Sequence, residues 1–244
     1  MHIAVSGSSG LLGSALVPAL RARGHDVARL VRRPAQSADE ISWDPMQGTV
    51  DMARFAETAC VVHLAGVGVG DHRWTESYKA EILRSRVDGT ATISRALAAI
   101  GGSTSLVCGS AIGFYGDTGD RAVDESAPVG RGFLADVVRQ WEDSAQPAID
   151  AGVRTCFART GLVVSAQGGA WARLFPIFRA GLGGRIGSGR QYMSFISLRL
   201  CAADCARGVR RRHPGESADP PRSADRSGVR MAGPRYRLRR ARCS

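Results

Sequence analysis

Lysine is nearly absent from this chain. Lys79 is the only one, so its 33 basic residues are almost all arginine. No apolar run is long enough to span a membrane, which excludes a transmembrane helix. A strand-like segment opens at residue 2, so no signal peptide is expected. The cysteines do not form a metal or disulfide framework. Cys201-x-x-x-Cys205 with His213 is the nearest approach, and it fits no zinc module. Cys60, Cys108 and Cys156 sit in apolar, strand-like runs, where cysteine behaves as a small hydrophobe. A reducing, cytoplasmic protein without disulfides or metal is expected. Basic charge is also missing from most of the chain, despite a net +11. Residues 199–244 hold 13 arginines against 4 acids, whereas residues 1–198 hold 20 basic and 18 acidic residues. The body is nearly neutral, so neither a nucleic acid nor a membrane surface is expected as a partner.

What is present is concentrated at the start. His2–Val5 is short, apolar and partly β-branched, as a buried parallel strand should be. Ser6-Gly7-Ser8-Ser9-Gly10-Leu11-Leu12-Gly13 follows. Ser14–Arg23 then has helical spacing, Gly24 stops it, and Asp26–Val31 reads as a second strand. Strand, glycine turn, helix and strand make half of a dinucleotide-binding unit. Gly7 allows a tight exit from the strand, Gly10 a close approach to a pyrophosphate, and Gly13 close helix packing. The helix start then presents free N–H groups to the phosphates. The alternative is a glycine-rich turn in an unliganded α/β domain.

The end of the second strand selects the cofactor. An acid there would hold the ribose hydroxyl of NAD, whereas an arginine suits the 2′-phosphate of NADP. The chain reads Val31-Arg32-Arg33-Pro34, with no acid. NADP is predicted, with Arg32 the first choice to bind the phosphate. The alternative for either arginine is a solvated loop charge.

Further on, strands are expected over Ile41–Pro45, Ala59–Gly66, Ser103–Gly109 and Val153–Val164. Asp51 caps a short helix through Phe55. Longer helices are expected over Trp74–Ile100, with an irregularity near Gly89, and over Gly132–Ala151. A doubly wound parallel α/β sheet follows from this alternation. His63 reads better as a packed or hydrogen-bonded strand residue than as a catalytic one. An apolar helix over Ala170–Ala180 and glycine loops at 181–189 are expected to form the lid or wall of a substrate cleft.

Taken together, these pieces resemble the extended short-chain dehydrogenase/reductase superfamily. More narrowly, the chain is similar to the NAD(P)-dependent "epimerase family" of the cell-division-inhibitor-homologue type. The matching segments are Gly7–Gly13, Arg32, Trp43-Asp44-Pro45, His63-Leu64-Ala65-Gly66, Arg73-Trp74-Thr75-Glu76, Ser85-Arg86, Ser110-Ala111, Tyr115-Gly116, Arg159-Thr160-Gly161 and Gly187-Ser188-Gly189-Arg190-Gln191. The resemblance implies a Rossmann-type fold. It also implies cofactor contacts from the glycine turn, from Val31 and Arg32 at the adenosine phosphate, and from Leu64, Ala65 and Gly66 under the dinucleotide. Glu81 and Arg86 on the long helix and Val163 near the nicotinamide end complete the implied set.

The superfamily's ordinary chemistry uses Ser, Tyr and a Lys four residues after the Tyr. Ser110 is in place, but Leu134 and Val138 occupy the Tyr and Lys positions, with Glu142 marking the register. Tyr115 is the remaining candidate acid; packing against the nicotinamide or substrate is its alternative. The expected function is NADP-dependent hydride transfer at a hydroxyl or carbonyl carbon of an unknown small molecule. The alternative is an NADP(H)-binding regulatory module with little catalysis.

The expected division is a cofactor domain at 1–165, a partial substrate-side region at 166–198 and a basic tail of low order at 199–244. The two long helices could pair in a homodimer. A frame shifted near Arg199 accounts for the tail's departure from the family pattern. The alternative is a real basic tail for nucleic acid or acidic partners.

Overall fold

In the computed structural model the described residues are 1–101, 104–185, 189 and 193–208. Seven strands build the main sheet. They are β1 (His2–Ser6), β2 (Asp26–Val31), β3 (Glu40–Asp44), β4 (Thr49–Val50), β5 (Cys60–His63), β6 (Ser105–Ala111) and β7 (Arg154–Thr160). Their spatial order is β4-β3-β2-β1-β5-β6-β7, and every pairing is parallel except the β3–β4 hairpin at the edge. The order reverses between β1 and β5, and a cleft at the carboxyl ends of those two strands is where such a sheet takes a ligand.

Both faces of the sheet are covered, so its central strands β1, β5 and β6 are buried along most of their length rather than alternating. Ile3, Val5, Cys60, Val62 and Val107 point to one face. There they meet α1 (Leu11–Arg21), through Leu16, Val17 and Leu20, and α7 (Leu198–Gly208), through Cys201, Cys205 and Ala206. Ala4, Val61, Leu106 and Cys108 point to the other face. That face lies under α3 (Glu76–Ile100), α4 (Phe133–Asp143) and α5 (Gln146–Asp150). A four-residue helix, α2 (Met52–Phe55), buries Phe55 into the same core.

Four expectations need adjusting. Residues 132–151 form two helices, not one, because the chain turns at Ser144–Ala145 with Pro147 in the first turn of α5. The strand expected over 153–164 also divides. At Gly161 the chain leaves the main sheet, and β8 (Leu162–Val164) pairs instead with β9 (Phe195–Ser197). A Cβ at Gly161 would stand 2.7 Å from the Ser194 carbonyl oxygen, so that crossing needs glycine. Helix α3 runs unbroken through Gly89, which is there for closeness: a Cβ would lie 3.2 Å from the His63 ring. Finally, residues 198–208 are helical and packed on α1, with Cys201, Ala202, Cys205 and Ala206 buried at i, i+4 spacing. Between β8 and β9 lies α6 (Gly169–Arg179), none of whose residues is buried. The rest of the expected tail, 209–244, and the motif positions 187, 188, 190 and 191 lie outside the described residues.

Candidate functional site

The glycine turn sits at the cleft, at the end of β1. Gly7 has φ +64°, and a Cβ there would lie 2.8 Å from the Leu64 backbone, so the turns after β1 and β5 abut directly. At Gly13 a Cβ would be 2.2 Å from the Gly7 carbonyl oxygen, so this helix position is closed to any side chain. Gly10 differs from both. Its φ of −75° suits any residue, and an added Cβ would meet only the Gly7 oxygen, at 3.3 Å. What glycine provides at this position is open space in front of a helix start. Helix α1 begins at Leu11, three residues earlier than its sequence pattern indicates, with no side-chain cap and no acid in its first turn. Its first N–H groups therefore face that space without a side-chain partner. An open cradle before an uncapped helix fits the pyrophosphate of a dinucleotide.

Ser6 supports the facing turn. Its Oγ accepts the Leu64 N–H at 3.1 Å and the Ala65 N–H at 3.3 Å. With both of those donors accepted, its own proton goes to His63 Nδ1, 2.6 Å away, which leaves the imidazole proton assigned to Nε2. That nitrogen is buried without a partner, and the ring lies edge-on to Trp43. Burial lowers the His63 pKa to about 4, so the ring is neutral. His63 is thus a scaffold under Leu64 and Ala65. Leu12, Leu64 and Val163 pack on one apolar cluster.

At the adenosine end the two arginines differ. Arg33 donates twice to Glu40, at 2.8 Å each, and Glu40 also takes Arg29 and the Gln36 N–H at 2.9 Å. These bonds, Arg33's first, hold the Glu40 carboxyl below its ordinary range. Arg32, just past Val31 at the end of β2, is exposed and has no partner among the described residues. It fits a 2′-phosphate, and Arg33 is already engaged. Arg86 donates to the Val67 and Ile82 carbonyls at 3.0 Å and lies beside Gly66, so it pins the loop after β5. Glu81 is exposed and lines a surface pocket with His72, Arg73 and Thr75. Arg173 of α6 reaches across to the same loop, donating to the Gly70 carbonyl at 2.5 Å and to Asp71 at 3.3 Å.

The two candidate catalytic hydroxyls are joined by residues that the sequence did not single out as functional. Ser110 donates to Glu142 Oε1 at 2.5 Å. Arg159 grips the same carboxylate with two donors, at 2.8 and 2.7 Å. Its third nitrogen donates to the Tyr115 hydroxyl at 2.9 Å. The parallel register of β6 and β7 sets Ser110 beside Arg159. Phe114 and Tyr115, in a single 3₁₀ turn over Ile112–Tyr115, cover the guanidinium, which lies 3.5 Å from the Phe114 ring centre. Leu134 and Val138 are packed against Gly113 of that turn. The available signals for the missed pair were an acid among the buried residues of α4 and an arginine near the end of a parallel strand. No group of metal-ligating side chains occurs among the described residues, nor any helix long and apolar enough to cross a membrane.

Known proteins resemble this chain in sequence and fold. The profile of the NAD dependent epimerase/dehydratase family matches residues 3–132. An epimerase family protein of Mycobacterium bovis is 46% identical over 196 residues, which cover 80% of this chain and 65% of that protein. This chain therefore spans less than two thirds of that relative. Among solved structures, a nucleoside-diphosphate sugar epimerase from Corynebacterium glutamicum superposes with a TM-score of 0.73 at 35% identity, covering 83% of this chain and 42% of that one. The human epimerase family protein SDR39U1 (isoform 2), solved with NADPH, gives 0.72 at 29% identity, covering 84% and 68%.

Proposed function

Because the chain belongs to the NAD dependent epimerase/dehydratase family, we propose that it is an NADP-dependent oxidoreductase or epimerase-like enzyme. It would act at a hydroxyl-bearing carbon, or the corresponding carbonyl, of a small molecule. The observation that carries this reading is the open Gly10 cradle before an uncapped α1, with the unpaired Arg32 at its edge. The N–H groups of the first α1 turn would hold the pyrophosphate, Arg32 the 2′-phosphate, and Leu64, Ala65 and Val163 the floor. The bound dinucleotide would supply a hydride acceptor or donor. Ser110 and Tyr115 would hold the reacting oxygen. The NADPH-bound human relative and the sugar-nucleotide epimerase relative support this reading.

Titration of the protein with NADPH and NADH tests the cofactor. NADPH should bind more tightly, and Arg32→Ala should remove about tenfold or more of that preference, the worth of a charge-assisted hydrogen bond. Equal affinities, or a preference for NADH, would refute the reading. A panel of nucleoside-diphosphate sugars, followed by NADPH absorbance, tests the reaction. Turnover should disappear in Ser110→Ala and fall sharply in Tyr115→Phe. The aliphatic Leu134 and Val138 favour a second reading, a regulatory module. Tight NADPH binding with no turnover across the panel would select it.

A further inference from the structure

Ser110 and Tyr115 are not equivalent hydrogen-bonding groups here, and the ion pair between them is the reason. A serine hydroxyl has one proton to give, and that of Ser110 goes to Glu142. Glu142 is a carboxylate gripped by two Arg159 donors, so it has no proton to return. Ser110 therefore has only lone pairs left. Tyr115 is in the opposite position. An arginine can only donate, so the phenol oxygen must accept from Arg159 and its own proton points elsewhere.

We propose that Glu142 and Arg159 are positioning residues that fix this polarity, making Ser110 an acceptor and Tyr115 a donor. The substrate recognised is then one that presents a hydroxyl to Ser110. A carbonyl or carboxylate has no proton for that position and would set lone pairs against lone pairs. Arg159 also supplies the fixed cation beside the tyrosine that a lysine supplies elsewhere in the superfamily. This rests on the hydride-transfer reading above for its substrate, but not for the polarity itself.

Neutron diffraction from a deuterium-exchanged crystal of the full chain with NADPH reads that polarity directly. The Ser110 deuteron should lie on the line to Glu142, and the Tyr115 deuteron away from Arg159. A deuteron on Glu142, or a Ser110 deuteron aimed into the cleft, would overturn the proposal. A solution measurement accompanies it. The tyrosine Raman doublet, taken as wild type minus Tyr115→Phe, should be of the acceptor type. It should stay so in Glu142→Gln and lose that character in Arg159→Met. A donor-type doublet in the wild type overturns the proposal whether or not the Arg159 variant folds.

Binding of UDP-glucose and of its 4-keto-6-deoxy counterpart then tests the substrate side. Alanine at 142 leaves the Ser110 hydroxyl no carboxylate to donate to and frees its proton. Glu142→Ala should therefore shift the ratio of the two affinities by about tenfold toward the keto compound. An unchanged ratio overturns the proposal. If neither compound binds, nucleoside-diphosphate hexoses are not the substrate of the hydride-transfer reading, while the neutron and Raman results still decide the polarity.

Discussion

Acid should destabilise this protein through His63, beginning near pH 6.5. The ring is fully buried, and no charged group is among its contacts with Ser6, Trp43 and Gly89. Its pKa falls to about 4 from 6.5 by desolvation. The unfolded chain thus takes up the proton first. The neutral ring's contribution is complete above pH 6.5 and is lost as pH falls from 6.5 toward 4. With about 1.4 kcal/mol per pKa unit, the whole effect is on the order of 3 kcal/mol, of which about 2 kcal/mol is gone by pH 5. Urea unfolding of wild type and His63→Gln, without NADPH, at pH 7.5 and pH 5 isolates it, because every other titrating group is common to both proteins. The stability gap between them should narrow by about 2 kcal/mol at the lower pH. A gap that is the same at both values would refute the account of His63 as a neutral scaffold.

The glycine turn yields a contrasting pair. Gly13→Ala forces a Cβ onto the Gly7 carbonyl and should lower stability by about 1–3 kcal/mol and abolish NADPH binding. Gly10→Ala meets only the Gly7 carbonyl oxygen, at 3.3 Å, so the melting temperature should fall less than in Gly13→Ala while NADPH affinity falls; thermal melts with and without NADPH read both. Ser6→Ala removes the acceptor for the Leu64 and Ala65 N–H groups and should weaken NADPH binding about tenfold in a fluorescence titration. Arg159→Met leaves a largely buried carboxylate unpaired and should cost about 3 kcal/mol in urea unfolding, with Glu142→Gln/Arg159→Met recovering part of it.

The sequence revealed most clearly what depends on neighbouring residues. The strand, glycine turn and helix at the start, the strand at Asp26–Val31 and the long helix to Ile100 all carry their signals within a few residues, and the α/β alternation follows. The β4 strand is too short, at Thr49–Val50, to show any period. The switch of sheets at Gly161 hides inside a continuous strand-like segment whose residues suit either sheet. The same division runs through the site. Ser110 and Tyr115 could be proposed because the superfamily resemblance asks for a serine near the end of β6 and a tyrosine close by. Glu142 and Arg159 could not, because only the register of β6 with β7, and the packing of α4 above them, bring the pair together. Choosing between Arg32 and Arg33 likewise required seeing which one Glu40 already holds.

Glu40 has one further consequence, for anyone redesigning the protein. It lies almost wholly inside the fold and turns the charge of Arg33 inward, so Arg32 is left as the unengaged cation of the loop after β2. An exchange at Arg32 therefore leaves the neighbouring ion cluster intact. Few handles on a nucleotide pocket can be turned without disturbing the frame that holds them.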